Sequence, residues 1–259
     1  MEPSQRHDKW ADGDRYEPYV GRWSRRVAQA FLDWLDVGCG TGALSGTILE
    51  RANPRSLTGV DPAPGFVEYS KARLGSARAR FEIGDAQALP LAAASVDAVV
   101  SGLVLNFVPQ PARAVAEMRR VARPGGVIGA YVWDYAERME LMRCFWDAAV
   151  ALDPAALDLD EGSRFPICRP EPLAQLFAEA GLQRVETRAI DVPTVFRDFD
   201  DYWMPFLGGQ GPAPGYALSL DEARRGALRE RLHSRLPVSE DGSIQLMARA
   251  WAVRGEAAR

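Results

Sequence analysis

The sequence predicts an α/β protein: a mostly parallel sheet with helices on both faces. Three observations predict it. Short apolar runs alternate with amphipathic helical stretches through the first half of the chain. The run "VDAVVS" (96–101) is apolar apart from Asp97 and the closing Ser101, as a strand covered on both faces should be. And the first run leads straight into "GCGTG" (38–42), a glycine loop of the kind that joins a parallel strand to its helix.

The elements follow in chain order. Residues 1–15 read as a flexible polar arm. From Tyr16 a helical pattern builds, with Val20, Trp23, Val27, Ala30, Phe31 and Trp34 recurring at three- and four-residue steps. That helix leaves little room before the first strand. The expectation is a helix end near Phe31, a cramped turn at Leu32–Asp33 and a strand cut to Trp34–Val37. After the loop, "ALSGTILERA" is helical and stops at Asn53-Pro54. "SLTGVD" is the second strand, "FVEYSKARL" a helix ending at Gly75, and "RFEIGD" the third strand. "VDAVVS" is the fourth. "ARAVAEMRRVARPGG" reads as a helix halted by Pro124 and Gly125-Gly126, with "VIGAYVW" (127–133) as the fifth strand.

The second half is less regular. Residues 136–152 show a helical stripe of Leu141, Phe145, Ala148 and Leu152, and "PLAQLFAEAG" is a helix capped by Gly181. "LQRVETRAIDV" and "SIQLMARAWAV" alternate at period two and read as a late pair of strands. Between them, residues 196–240 form an insertion, aromatic at first and then rich in Gly and Pro, before the charged helix "DEARRGALRERLHSRL". Such a long connection predicts a cap or lid. Residues 16–259 are otherwise one domain.

Composition narrows the function. The chain has 259 residues, 47% hydrophobic content and a net charge of −4, which argues against a general nucleic-acid binder. Its three cysteines, Cys39, Cys144 and Cys168, are scattered, so neither a disulfide framework nor a metal site is expected. The polar start "MEPSQRHDKWADGDRYEP" has no apolar core, and no apolar run is long enough for a bilayer. A cytoplasmic protein without stable membrane insertion is the expectation.

The loop sits where open α/β sheets bind ligands, at the carboxyl edge. Gly38, Gly40 and Gly42 let the backbone turn tightly and let a ligand approach the main chain. As a string, "GCGTGA" also fits a dinucleotide fingerprint. The acids point elsewhere. Asp36, at the first strand's end, would repel a pyrophosphate and suits an ammonium group. Asp61 ends the second strand, ~20 residues past the loop, where an acid binds a ribose diol. Asp85, after the third, would reach an adenine amino group. Together they describe a ligand with an amine, a ribose and an adenine, and no phosphates.

With these motifs on the page, the chain resembles a known family. "LDVGCGTGALS", "GVDPAPGFVEYSKAR", "GDAQALPLAAASVDAVVS", "LNFVP" and "RRVARPGGVIGAYVW" look like the successive motifs of class I S-adenosylmethionine-dependent methyltransferases, and are similar to the ubiquinone/menaquinone C-methyltransferase-like small-molecule branch. The resemblance runs from about Tyr16 to Trp133 and more loosely beyond. It implies a Rossmann-like seven-stranded sheet with its last strand antiparallel. It also implies that Asp36 faces the methionine amine, Gly38 to Gly42 line the methionine part, and Asp61 takes the ribose hydroxyls with Pro62 beside the adenine. Asp85 and Ala86 would take the adenine edge, and Ser101 would offer a carbonyl near the amine. Arsenic methyltransferases share the fold, but their paired reactive cysteines are not matched by Cys144 and Cys168.

The implied function is methyl transfer to a small apolar or aromatic acceptor. Transfer from a sulfonium needs mainly proximity and alignment, so no triad is required. Asp134, after the fifth strand, is the best-placed acid for an acceptor, though it can equally be a turn cap. Asn106 stands where related enzymes often carry His. His7 falls in the arm and His233 on a charged helix, both read as solvated. Tyr16, Tyr19, Trp23, Trp133, Tyr202, Trp203 and Phe206 are the candidate acceptor contacts, with Arg22 for the cofactor carboxylate. A second reading is an S-adenosylmethionine-binding protein without methyltransferase activity, acting as a regulator or scaffold. Hydride transfer is a third.

Overall fold

A computed structural model describes residues 35–52 and 54–259. The predicted polar arm, the predicted first helix with Tyr16, Tyr19, Arg22 and Trp23, and the predicted turn at 32–33 lie outside the described residues. The strands are β1 (Leu35–Val37), β2 (Leu57–Asp61), β3 (Ala79–Ile83), β4 (Val96–Gly102), β5 (Ala122–Trp133), β6 (Gln183–Phe196) and β7 (Ile244–Glu256). They form a seven-stranded sheet in the order β3-β2-β1-β4-β5-β7-β6. The pairs among β1 to β5 are all parallel, and β7 runs antiparallel to both β5 and β6. This is the predicted architecture.

The order places a topological switch at β1. From β1 the chain first builds outward to β2 and β3, then crosses back to β4 on the other side. The carboxyl ends of β1 and β4 therefore diverge around a crevice, the usual ligand position in such sheets. β2 is buried at every residue, so both faces of the sheet are covered there.

The helices flanking the crevice are α1 (Ala43–Arg51), α2 (Pro64–Leu74) and α3 (Pro111–Val121). α1 buries Leu44, Ser45, Thr47 and Ile48, and Arg51 in its last turn suits the helix dipole. α2 and α3 each begin with Pro in the first turn, where the missing N–H costs nothing. α3 inserts Ala114, Val115, Met118 and Val121 into the core. It ends earlier than its pattern suggests: Ala122 already pairs with Val96, with a register shift before Ala98 meets Val127. Pro124 and the two glycines thus lie in the first part of β5, not at a helix end.

The second half contributes α4 (Glu140–Leu152), the short α5 (Glu161–Arg164), α6 (Pro170–Glu179), α7 (Phe199–Trp203), α8 (Pro212–Ser219) and α9 (Glu222–Arg235). The segment between β6 and β7 is a packed helical layer. Phe206 stacks on Phe145 of α4 at 4.5 Å, and Leu228 and Leu232 of α9 are buried in the same hydrophobic cluster. Arg143 of α4 makes a paired contact with Asp160, at 2.8 and 2.7 Å, which fixes the turn entering α5. Among the described residues no helix is long and apolar enough to cross a membrane.

Candidate active site

A cavity opens at the crevice. Its wall comes from the ends of β1, β2, β4 and β5 and from the loops that follow them. On the β1 side the chain turns through Gly38, Gly40 and Gly42, at φ of 74°, 50° and 76°. These are left-handed values that L-residues avoid. The three glycines differ in what surrounds them. A Cβ on Gly38 would meet Val104 Cγ1 at 2.7 Å, and one on Gly42 would meet Leu74 Cδ1 at 2.6 Å. One on Gly40 would meet nothing within 4 Å. Gly38 and Gly42 are packing requirements; Gly40 faces open space at the entrance to α1.

The loop is braced from α2. Ser70 Oγ donates to the Gly40 carbonyl at 2.7 Å, and Arg73 donates to the Thr41 carbonyl at 3.2 Å. From β2, Asp61 accepts from Gly40 N–H at 3.0 Å and from Ala63 N–H at 2.9 Å. One carboxylate therefore ties the glycine loop to the turn that carries Pro62. Sequence reading missed Ser70 and Arg73. The available signal was their three-residue spacing on a helix whose inner face includes Phe66 and Val67.

Asp36 is a strongly perturbed carboxyl in the cavity wall. It is buried, and its Oδ2 accepts from both the backbone N–H and the hydroxyl of Ser45, at 3.0 and 2.8 Å. Burial drives its pKa from 3.8 to about 7, the Ser45 bonds oppose that rise, and the Asp61 charge adds to it. Burial raises Asp61 as well. The thiol of Cys39, beside both, is pushed far up by burial and by these two charges, so it stays protonated. Cys39 packs with Val67 and Phe81. Among the described residues no Lys, Arg or His lines the cavity. Two buried acids with raised pKa values in one cavity, with no cation among the described wall residues, make it a candidate functional site.

On the far side the wall is aromatic: Phe107, Tyr131, Trp133 and Tyr135. Phe165 backs it, edge-on to Phe107 at 5.2 Å and tilted against Tyr135 at 6.0 Å. Leu103 turns the chain out of β4 at φ 63°, a strained value for a branched residue, and its N–H donates to the Tyr131 carbonyl at 2.8 Å. That turn lays Val104 against Gly38. Trp133 is the one predicted acceptor contact among the described residues that lines the cavity. Tyr131 was legible too, because period-two alternation puts it on the same face as Trp133.

Several candidates lie elsewhere. Tyr202, Trp203 and Phe206 do not line the cavity. Tyr202 and Phe206 are wholly buried, and the Tyr202 hydroxyl donates to the Leu141 carbonyl at 3.0 Å. They stitch α7 and the turn after it onto α4, where large rings gain most from burial. Asp134 is a turn cap: its Oδ1 accepts from Glu137 N–H at 3.0 Å, and it is outside the cavity wall. Asn106 is sealed in the turn after β4, and neither amide atom has a hydrogen-bond partner among the described residues. Asp85 is exposed and holds the Gln87 side chain at 3.2 and 3.3 Å, while Ala86 is buried beside it. Ser101 is buried one residue behind Gly102, which lines the cavity. His233 is exposed against the Phe199 ring at 4.7 Å.

Fold and site together define a cofactor-binding α/β protein of the methyltransferase type, and comparison with known proteins agrees. Residues 35–130 match the family model described as a methyltransferase domain. The demethylmenaquinone methyltransferase of Roseiflexus castenholzii is 32% identical over 60% of this chain and 70% of its own length. The chain belongs to this methyltransferase family, whose cofactor is S-adenosylmethionine. It spans less than two thirds of the length of the curated relatives it matches first, 58% and 34% for the leading two. Among solved structures, phosphoethanolamine N-methyltransferase 2 of Haemonchus contortus, in complex with S-adenosyl-L-methionine, has a TM-score of 0.59 at 13% identity, covering 95% of this chain and 57% of that one. The [4+2]-cyclase SpnF has a TM-score of 0.55 at 21% identity, covering 99% and 89%.

Proposed function

We propose that this protein transfers a methyl group from S-adenosylmethionine to a small apolar or aromatic acceptor. The observation that carries this reading is the pairing of buried Asp36 and Asp61 around a glycine loop whose middle glycine faces open space. The residues fit the cofactor. Asp36 would take its amine, the Gly38–Gly42 backbone its methionyl part, Asp61 its ribose and Pro62 the adenine side, with Asp85, Ala86 and Ser101 in supporting positions. When bound, the cofactor supplies a methyl group on a positively charged sulfur, a leaving group already activated. The chain contributes charge compensation by Asp36, alignment by the braced loop, and an aromatic wall that excludes water from the acceptor side.

The same reading takes residues 16–259 as one methyltransferase unit with a cap at 196–240, working on a small molecule in the cytoplasm and not on nucleic acid. Tyr16, Tyr19 and Trp23, outside the described residues, stay candidate acceptor contacts in this reading. A second reading, cofactor binding without methylation, draws on SpnF, a neighbour in fold whose name is that of a cyclase.

Calorimetry with S-adenosylmethionine, S-adenosylhomocysteine and NADH is the first test; binding of NADH alone would sink the proposal. A radiolabelled methyl-transfer screen against quinols, phenols, amines and lipid extracts then separates enzyme from silent binder. Asp61→Ala is expected to weaken cofactor binding by ~1–3 kcal/mol. Unchanged affinity would remove Asp61 from the site.

A further inference from the structure

A second cavity lies away from the crevice, where α8 and α9 pack on the last turn of α4. It measures 510 Å³, a size that suits a small ligand. It shares no lining residue with the cavity at the crevice. Leu152, Leu220 and Leu228 give it apolar wall, and Asp153, Tyr216 and Arg224 give it polar groups. Tyr216 is 8% exposed. Its ring is anchored in the core, edge-on to Phe145 at 6.3 Å and tilted against Trp146 at 5.6 Å. Its hydroxyl has no hydrogen-bond partner among the described residues. Burial raises the pKa of that hydroxyl, the Asp153 charge adds to the rise and Arg224 opposes it. Both charges of the wall thus act on the hydroxyl, which faces the cavity as a neutral donor. Asp153 uses Oδ1 to accept from Ala155 N–H at 3.0 Å, which leaves Oδ2. Arg224 stands at the rim with an exposed side chain. Its ion pair with Asp221 runs from Nε at a long 3.6 Å, which leaves both terminal nitrogens.

We propose that this cavity binds an α-amino acid with an apolar side chain, its carboxylate held by Tyr216 and Arg224 and its ammonium by Asp153. The site is separate from methyl transfer and does not depend on that reading. A phenylalanine at 216 would pack against Phe145 and Trp146 equally well, so the hydroxyl is the part that packing does not explain. A polar group on a buried ring costs stability when nothing bonds to it, and a ligand in the cavity supplies the missing partner. The wall carries one cation and one anion, and this selects the ligand. A carboxylate without an ammonium would face Asp153 uncompensated, and an amine without a carboxylate would face Arg224 in the same way. A zwitterion meets both. The leucines of the wall take the apolar side chain out of water.

The test is equilibrium dialysis of the full chain against radiolabelled L-leucine, with and without saturating S-adenosylhomocysteine. Isocaproate and isoamylamine serve as competitors: they keep the side chain of leucine and lack its ammonium and its carboxylate, respectively. Wild type is expected to bind leucine equally in both conditions, and each competitor at least about 5-fold more weakly than leucine. Tyr216→Phe should weaken leucine binding about 5- to 10-fold, the loss of one hydrogen bond. Arg224→Gln and Asp153→Asn should each weaken it about 3- to 5-fold, as for ion pairs near solvent. All three variants should leave S-adenosylhomocysteine affinity unchanged. Four results overturn the assignment: no leucine binding, displacement of leucine by S-adenosylhomocysteine, a competitor that binds as well as leucine, or wild-type leucine affinity in Tyr216→Phe. Should Tyr216→Phe fail to fold, the two charge variants decide, and wild-type leucine affinity in both overturns it.

Discussion

Replacing Asp36 by Asn tests the electrostatics of the site. The substitution preserves shape, and the Asn oxygen can accept both Ser45 bonds. What it removes is a carboxyl that the unfolded chain ionises near pH 4 and the folded chain holds protonated up to about 7. Between those values the folded state binds more protons, so this group's contribution to stability falls as pH rises and levels off above about 7. At about 1.4 kcal/mol per tenfold change, a rise from 3.8 to about 7 sets an upper bound of ~4 kcal/mol. The expected result is that Asp36→Asn matches wild type near pH 4.5 and is more stable at pH 8.5, by 2 to 4 kcal/mol as an order-of-magnitude figure. Denaturant unfolding of both proteins across that range measures it. Other raised acids, such as Glu161, are common to both proteins and cancel in the difference. If Asp36 holds the cofactor amine as proposed, cofactor binding should move the opposite way, weakening at least tenfold as that partner loses its charge. A stability gap that does not change with pH, or an Asn variant less stable at pH 8.5, would refute the reasoning.

Three further outcomes are expected. Gly42→Ala should destabilise by ~2–3 kcal/mol, since the new Cβ meets Leu74 at a left-handed φ; Gly40→Ala should cost only ~1 kcal/mol yet weaken S-adenosylhomocysteine binding more than it lowers stability. Thermal melts and calorimetry on the pair check both. Tyr202→Phe should lose about 1 kcal/mol through its Leu141 bond and leave cofactor and acceptor binding alone; altered binding would return this residue to the site. Asn106→Leu should be neutral or stabilising, because it removes two buried polar atoms that lack partners among the described residues.

Most of the sheet was legible in local sequence. Period-two runs and buried apolar runs located all seven strands, because strand periodicity is a property of neighbouring residues. The boundary between α3 and β5 was missed. Pro124 and the glycines look like a helix stop, and only pairing of Ala122 with Val96 moves the strand start ahead of them. What the insertion after β6 packs against was not legible, for a related reason. Gly and Pro mark local breaks, but the long-range stacking of Phe206 on Phe145 holds this segment as folded helix.

The sequence by itself determined the alternation of strand and helix, the placing of three acids at or just past the ends of the first three strands, and the glycine loop. Each depends on spacing along the chain. The tertiary structure decided which of many aromatics face the cavity. Tyr202 and Trp133 look alike as letters, and one fastens a helix while the other lines the site, since each answers to neighbours far away in sequence. It also decided the state of Asp36. A carboxyl's pKa is set by how much water and charge surround it, and that is known only once β1, β2 and α1 have closed around it.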